Sequence, residues 1–90
     1  MYVLIVDDEP DLIDVIRETL ISEEVFSEEE VLRAGNGAEA LVIFEKQRPS
    51  LVMTDLNMPK MNGSELIRQI RERSPDTEIV VMTGHGDLNS

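Results

Sequence analysis

Asp7, Asp8 and Glu9 stand side by side where the apolar run "YVLIV" stops. Two further short apolar runs end in a similar way: "LVM" at 51–53 is followed by Thr54 and Asp55, and "IVVM" at 79–82 by Thr83 and Gly84. If the runs at 2–6 and 51–53 are neighbouring strands, the carboxylates of Asp7, Asp8 and Asp55 meet in one crevice. Two such charges about 4 Å apart repel by roughly 4 kcal/mol at an effective dielectric near 20. A hard divalent cation relieves that repulsion. An oxygen-only donor set with no His or Cys nearby points to Mg2+, which keeps several waters and accepts a phosphate oxygen as a ligand. Asp also caps helices and favours turns, so one Asp pair after a strand, taken alone, reads better as a cap. Capping does not explain why Asp7, Asp8, Asp55 and Thr83 all fall at the same end of their strands.

The elements that must position these residues alternate in kind. The runs at 2–6, 51–53 and 79–82 are continuous and apolar, as strands buried on both faces are. "VLRA" at 31–34 carries Arg33 and reads as an edge strand. Between the strands lie helical patterns. Residues 10–21 put Leu12, Ile13, Ile16 and Leu20 on one face, with Pro10 in the first turn, where its missing N–H costs nothing. Residues 36–47 open on Asn36 with Glu39 three positions on, close to a capping box. Residues 64–73 carry Leu66, Ile67 and Ile70, with Ser64 as the cap and Pro75 as the stop. The order β-α-β-α-β-α-β predicts an α/β fold: a parallel sheet with right-handed crossovers and helices on both faces. In such sheets ligands bind beyond the carboxyl ends of the strands.

Composition narrows the function classes. Ninety residues suit one small domain, and 41% apolar residues with 3% aromatics mean a core of Leu, Ile, Val and Met. The absence of cysteine excludes disulfides and thiolate metal sites. The net charge of −11 is uneven, since residues 1–30 hold 11 acids against the single base Arg17. That balance argues against direct nucleic-acid binding by this stretch. The acid-rich "SEEVFSEEE" at 22–30 reads as a solvated loop and helix end. No apolar run is long enough for a membrane span, and no leader precedes the first strand, so the expected location is cytoplasmic.

The chain resembles the receiver domains of bacterial two-component response regulators. "VLIVDDEPD" is similar to that family's first strand and acid pair, "MTDLNMPKMNG" at 53–63 to its phosphoacceptor segment, and "VVMTGHGD" at 80–87 to its fourth strand and switch threonine. The resemblance implies a flavodoxin-like doubly wound sheet of order 2-1-3-4, with the family's fifth strand and last helix absent from residues 1–90. It implies that Asp55 takes a phosphoryl group from a sensor histidine kinase or a phosphotransfer protein, in a reaction that needs Mg2+. Asp8 matches the direct metal ligand, Asp7 the partner that holds metal-bound water, and the backbone carbonyl of Asn57 a third metal contact. Thr83 matches the hydroxyl that turns toward the phosphoryl group. Gly63 is expected to take a positive φ before the third helix, and Met53 and Met61 to be core. His85 and Lys60 read as loop and surface.

The family's fifth-strand Lys, which pairs with the phosphoryl group, has no match in residues 1–90. Two explanations compete: if the chain continues, the missing strand and an output domain are expected beyond this stretch; if it is truncated, strand 79–82 would present an unpaired edge suited to a homodimer. The implied role is a switch rather than an enzyme with its own turnover. Two rivals remain. A degenerate receiver would act as an interaction or dimerisation module without phosphorylation. A Mg2+-dependent hydrolase would want an acid two residues after the nucleophile, where this chain has Asn57. Nucleotide binding is disfavoured because no Gly-rich loop follows the first strand.

Overall fold

The computed structural model describes residues 1–58 and 61–82. Its elements run β1 (Val3–Val6), α1 (Pro10–Ser22), a 3-10 turn (Glu28–Glu30), β2 (Val31–Ala34), α2 (Gly37–Gln47), β3 (Leu51–Asp55), α3 (Gly63–Arg73) and β4 (Glu78–Met82). The strands form one parallel sheet in the order β2-β1-β3-β4. The expected alternation, the sheet order and the edge position of β2 are all present.

The order follows from what each strand carries. All four residues of β1 are fully buried, so β1 lies inside the sheet with helices above and below. On one face α2 and α3 bring Ala40, Phe44, Leu66 and Ile70 against Leu4, Val6, Ala34 and Val52. On the other face α1 brings Ile13, with Ile16 and Leu20, against Val3 and Ile5. Burying one such side chain contributes about 1.5–3 kcal/mol, so the larger cluster carries most of the apolar stabilisation.

Two expectations about burial need correction. Leu12 is not part of the buried stripe of α1: it is 40% exposed, because Ile13, Ile16 and Leu20 face the sheet and Leu12 lies about 100° round the helix from Ile13. The fourth strand is not buried on both faces. Val80 and Val81 are 44% and 43% exposed, because β4 is the outer strand of the described sheet.

Candidate functional site

Parallel pairing sets the site. Val6 of β1 pairs with Ala34 of β2 and Thr54 of β3, so Asp7 and Asp55 come next on adjacent strands at the same level. Asp7 continues the ladder, its N–H donating to the carbonyl of Ala34 at 3.1 Å. Asp8 starts the turn into α1, where Pro10 occupies the first helical position as expected. One carboxylate oxygen from each of Asp7, Asp8 and Asp55 lies within 4.8 Å of the other two. Asp7 is buried, Asp55 half-buried and Asp8 exposed, so the group opens from the sheet edge to solvent.

The electrostatics suit a cation. Asp7 is 1% exposed. Burial, and then the charges of Asp55 and Asp8, raise its carboxyl above the ordinary 3.8, although the Glu9 N–H, donating at 2.9 Å, works in the other direction. Among the described residues no Lys or Arg pairs with these three acids. The basic side chains go elsewhere: Arg33 to Asp14 at 2.7 Å, Arg17 to Glu28, Arg68 to Glu65 and Glu72, and Arg73 to Glu45. Three close carboxylates, one of them buried, with no protein cation among the described residues fit a hard divalent ion. The Asn57 N–H donates to Asp55 Oδ1 at 3.2 Å and folds the chain back over the carboxylate. Beside the acids, Asp7, Asp8, Pro10, Ile13, Arg33 and Gly35 line a recess of about 210 Å³.

The expected site residues therefore divide. Asp7, Asp8 and Asp55 come together, and Asn57 adjoins Asp55. Thr83, with Gly84 and His85, lies outside the described residues, as does Lys60. Met53 and Met61 pack against the two core clusters, as expected.

Two details of the third helix correct the sequence reading. Its cap is Asn62, not Ser64: Asn62 Oδ1 accepts from the Glu65 N–H at 3.0 Å. Gly63 does not take a positive φ; among the described residues no glycine does. Gly63 is the first residue of α3, and it is small because the backbone of Asp55 and Leu56 lies against it. Sequence reasoning also missed Gly37 and Thr54. The Thr54 hydroxyl, fully buried, donates to the carbonyl of Asp55 at 2.9 Å. Gly37 opens α2 against Met61. The available signal was a repeat, since N-G-x-E occurs at 36–39 and again at 62–65.

Comparison with known proteins agrees with this geometry. The family model for the response regulator receiver domain matches residues 3–90. A probable transcriptional regulator of Porphyra purpurea, ycf27, is 40% identical over 86 residues, which are 96% of this chain and 33% of that protein. The chain thus spans about a third of that relative's length. Sporulation initiation phosphotransferase F of Bacillus subtilis is 33% identical over 89 residues, 97% of this chain and 67% of that protein. Among solved structures, the response regulator TrrA of Thermotoga maritima in complex with Mg2+ and BeF superposes with a TM-score of 0.84 at 35% identity, over 97% of this chain and 73% of that one. Strand order, acid cluster and family match agree, and the chain belongs to the response regulator receiver domain family, the phospho-accepting switches of two-component signalling.

Proposed function

We propose that Asp55 is the phosphoacceptor, that Asp7, Asp8 and Asp55 itself hold Mg2+, and that the Asn57 carbonyl completes the protein's share of the ligands. The observation that carries this reading is the meeting of Asp7, Asp8 and Asp55 within 4.8 Å at the carboxyl end of β1 and β3. A carboxylate oxygen of Asp55 attacks the phosphorus of a phosphohistidine on a partner kinase or phosphotransfer protein. The new O–P bond forms as the N–P bond breaks, and the imidazole leaves with the electron pair and takes up a proton. When bound, Mg2+ offsets charge on the transferring phosphoryl oxygens. Asp7 and Asp8 keep that charge balanced, and the Asn57 N–H orients the acceptor. Thr83, by its match to the family's switch position, is the hydroxyl that reports phosphorylation to the surface. The group is a switch in this reading, and catalysis with independent turnover is not part of it.

Residues 1–90 are read as a receiver domain whose fifth strand and output module lie outside this stretch; support comes from relatives that extend well beyond what the chain covers. Among the described residues no helix is long and apolar enough to cross a membrane, and a cytoplasmic setting is proposed on that basis together with the kinase partner. One observation favours the second reading, a module for self-association: Val80 and Val81 stand exposed on β4.

Beryllofluoride, which mimics an aspartyl phosphate, separates the two. With Mg2+ it should shift the backbone amide resonances of residues 54–58 in the wild-type chain and leave Asp55→Asn unchanged. Self-association without any Mg2+-dependent response to beryllofluoride would replace the leading reading with the second.

A further inference from the structure

The acceptor is held by its backbone as well as its side chain. Two helices start beside it with the same four-residue pattern, N-G-A-E at 36–39 and N-G-S-E at 62–65. In each the Asn side chain caps the helix: Asn36 Oδ1 accepts from Glu39 N–H at 2.8 Å, and Asn62 Oδ1 from Glu65 N–H at 3.0 Å. The glycine that follows is the first helical residue and is buried. An N–H in that position has no partner within its own helix. Here both leave the helix for the acceptor segment. Gly37 N–H donates to the Met61 carbonyl at 3.1 Å, and Gly63 N–H to the Leu56 carbonyl at 3.0 Å.

Both contacts require the absence of a side chain. A Cβ on Gly63 would overlap the Asp55 carbonyl oxygen and lie 2.7 Å from Leu56 Cα. A Cβ on Gly37 would overlap the Met61 carbonyl oxygen and lie 2.9 Å from its carbonyl carbon. These are main-chain atoms, which cannot rotate aside. Gly35, two residues before Gly37, is different: its nearest neighbour is the end of the Glu39 side chain at 3.6 Å, an ordinary contact. Conformation is not the reason for the glycines, since neither has a positive φ. The Asp55 carbonyl also accepts from the Thr54 hydroxyl at 2.9 Å.

We propose that Gly37 and Gly63 are positioning residues for the acceptor. The two Asn-Gly helix starts close on Met61 and on Asp55–Leu56, and so set where the Asp55 carboxylate lies relative to Asp7 and Asp8. This rests on the reading of the site given above. Mg2+ tolerates little error, because it demands near-octahedral oxygen ligands at about 2.0–2.1 Å. A methyl group at Gly63 pushes on the carbonyl of the acceptor residue itself. A methyl group at Gly37 pushes on Met61 and acts on the acceptor through the intervening chain. The effect on metal binding is therefore larger for Gly63 than for Gly37.

The test is a Mg2+ titration, followed by backbone amide resonances, of the wild-type chain and the variants Gly63→Ala, Gly37→Ala and Gly35→Ala. Circular dichroism and a cooperative melt verify folding. Displacing a group that orients metal ligands weakens affinity by about 10–100-fold. Gly63→Ala should lie in that range, Gly37→Ala at its lower edge, and Gly35→Ala should match wild type. Folded Gly63→Ala protein with wild-type Mg2+ affinity and only a lower melting temperature overturns the proposal, because that is what a purely structural glycine gives.

Where the alanine variants do not fold, hydrogen exchange in the wild type decides. Coupling is reciprocal, so bound Mg2+ with beryllofluoride must tighten the clasp in return. Exchange at the Gly37 and Gly63 amides should slow severalfold more than at the Thr77 amide, which donates to Ser74 in the turn between α3 and β4. Equal slowing at all three overturns the proposal. A wild-type chain with no Mg2+ response at all removes the phosphoacceptor reading and the clasp with it, whereas a responsive wild type beside an equally responsive Gly63→Ala removes the clasp alone.

Discussion

Val6 and Asp7 are consecutive residues, at 0% and 1% exposure, yet they sit in opposite environments. Val6 belongs to the apolar cluster of Leu4, Val52, Phe44 and Leu66, where contact is its own reward. Asp7 meets Asp8 and Asp55, whose like charges repel its own and are only partly offset by the Glu9 N–H. The core beneath the sheet edge is complete within the chain. The edge above it carries like charges that, in the proposed reading, a cation would offset. That difference separates residues whose replacement costs stability from residues whose replacement costs function.

The largest expected effect lies on the core side. Phe44 is fully buried between α2, α3 and the sheet. Phe44→Ala should destabilise the fold by about 3–5 kcal/mol, the range for deleting a buried aromatic ring. A small domain has only about 5–15 kcal/mol in all, so much of that margin disappears. Urea denaturation followed by circular dichroism measures it. A loss well under 1 kcal/mol would mean that the cluster around Phe44 is not the main source of stability.

On the edge side the sign reverses. Replacing Asp7 by Asn keeps the shape, keeps an acceptor for the Glu9 N–H, and removes a buried charge next to two others. At neutral pH without Mg2+, Asp7→Asn should stabilise the fold. The pH dependence follows from the raised pKa. Between the ordinary 3.8 and the higher value in the fold, the native state holds more protons than the unfolded chain, so stability falls as pH rises through that window. Above the window the cost of the charge is fully present, and below 3.8 it is gone, so wild type and Asp7→Asn should converge in acid. Mg2+ at neutral pH should raise the melting temperature of the wild type and leave Asp7→Asn nearly unmoved. A melting temperature for Asp7→Asn equal to or below that of metal-free wild type would break the comparison.

Local and tertiary information divide what was readable in the sequence. The run ending in Asp7, the alternation of elements and the Asn36 cap were legible because each depends on neighbours a few residues away. Asp55 was legible because a parallel sheet forces strand ends to one edge. The cap of α3 was misread because Asn62 and Ser64 both offer cap chemistry within three residues. The choice between them is made by Gly63 lying against the Asp55 carbonyl. The reason for Gly63 was misread on the same ground: a positive φ is a local property, and a collision with the end of a strand is not. Leu12 and the β4 valines were placed too deep because periodicity gives a face and not the extent of what covers it.

A third setting for charge sharpens the contrast between core and edge. Arg73 Nε of α3 meets Glu45 Oε2 of α2 at 2.6 Å, joining the two helices that cover the larger core cluster. The two side chains are 33% and 43% exposed, so water screens the pair and already solvates each partner when the other is removed. Exposed pairs of this kind contribute about 0–1 kcal/mol. A double-mutant cycle with Glu45→Gln and Arg73→Gln should give a coupling under 1 kcal/mol that shrinks in high salt. The same salt should leave the Asp7→Asn stabilisation largely intact, because the Asp7 carboxylate is shielded from solvent ions while this surface pair is not. Equal salt sensitivity at both places would mean that the crevice is as wet as the surface, and Asp7 would then have no electrostatic reason to need a cation.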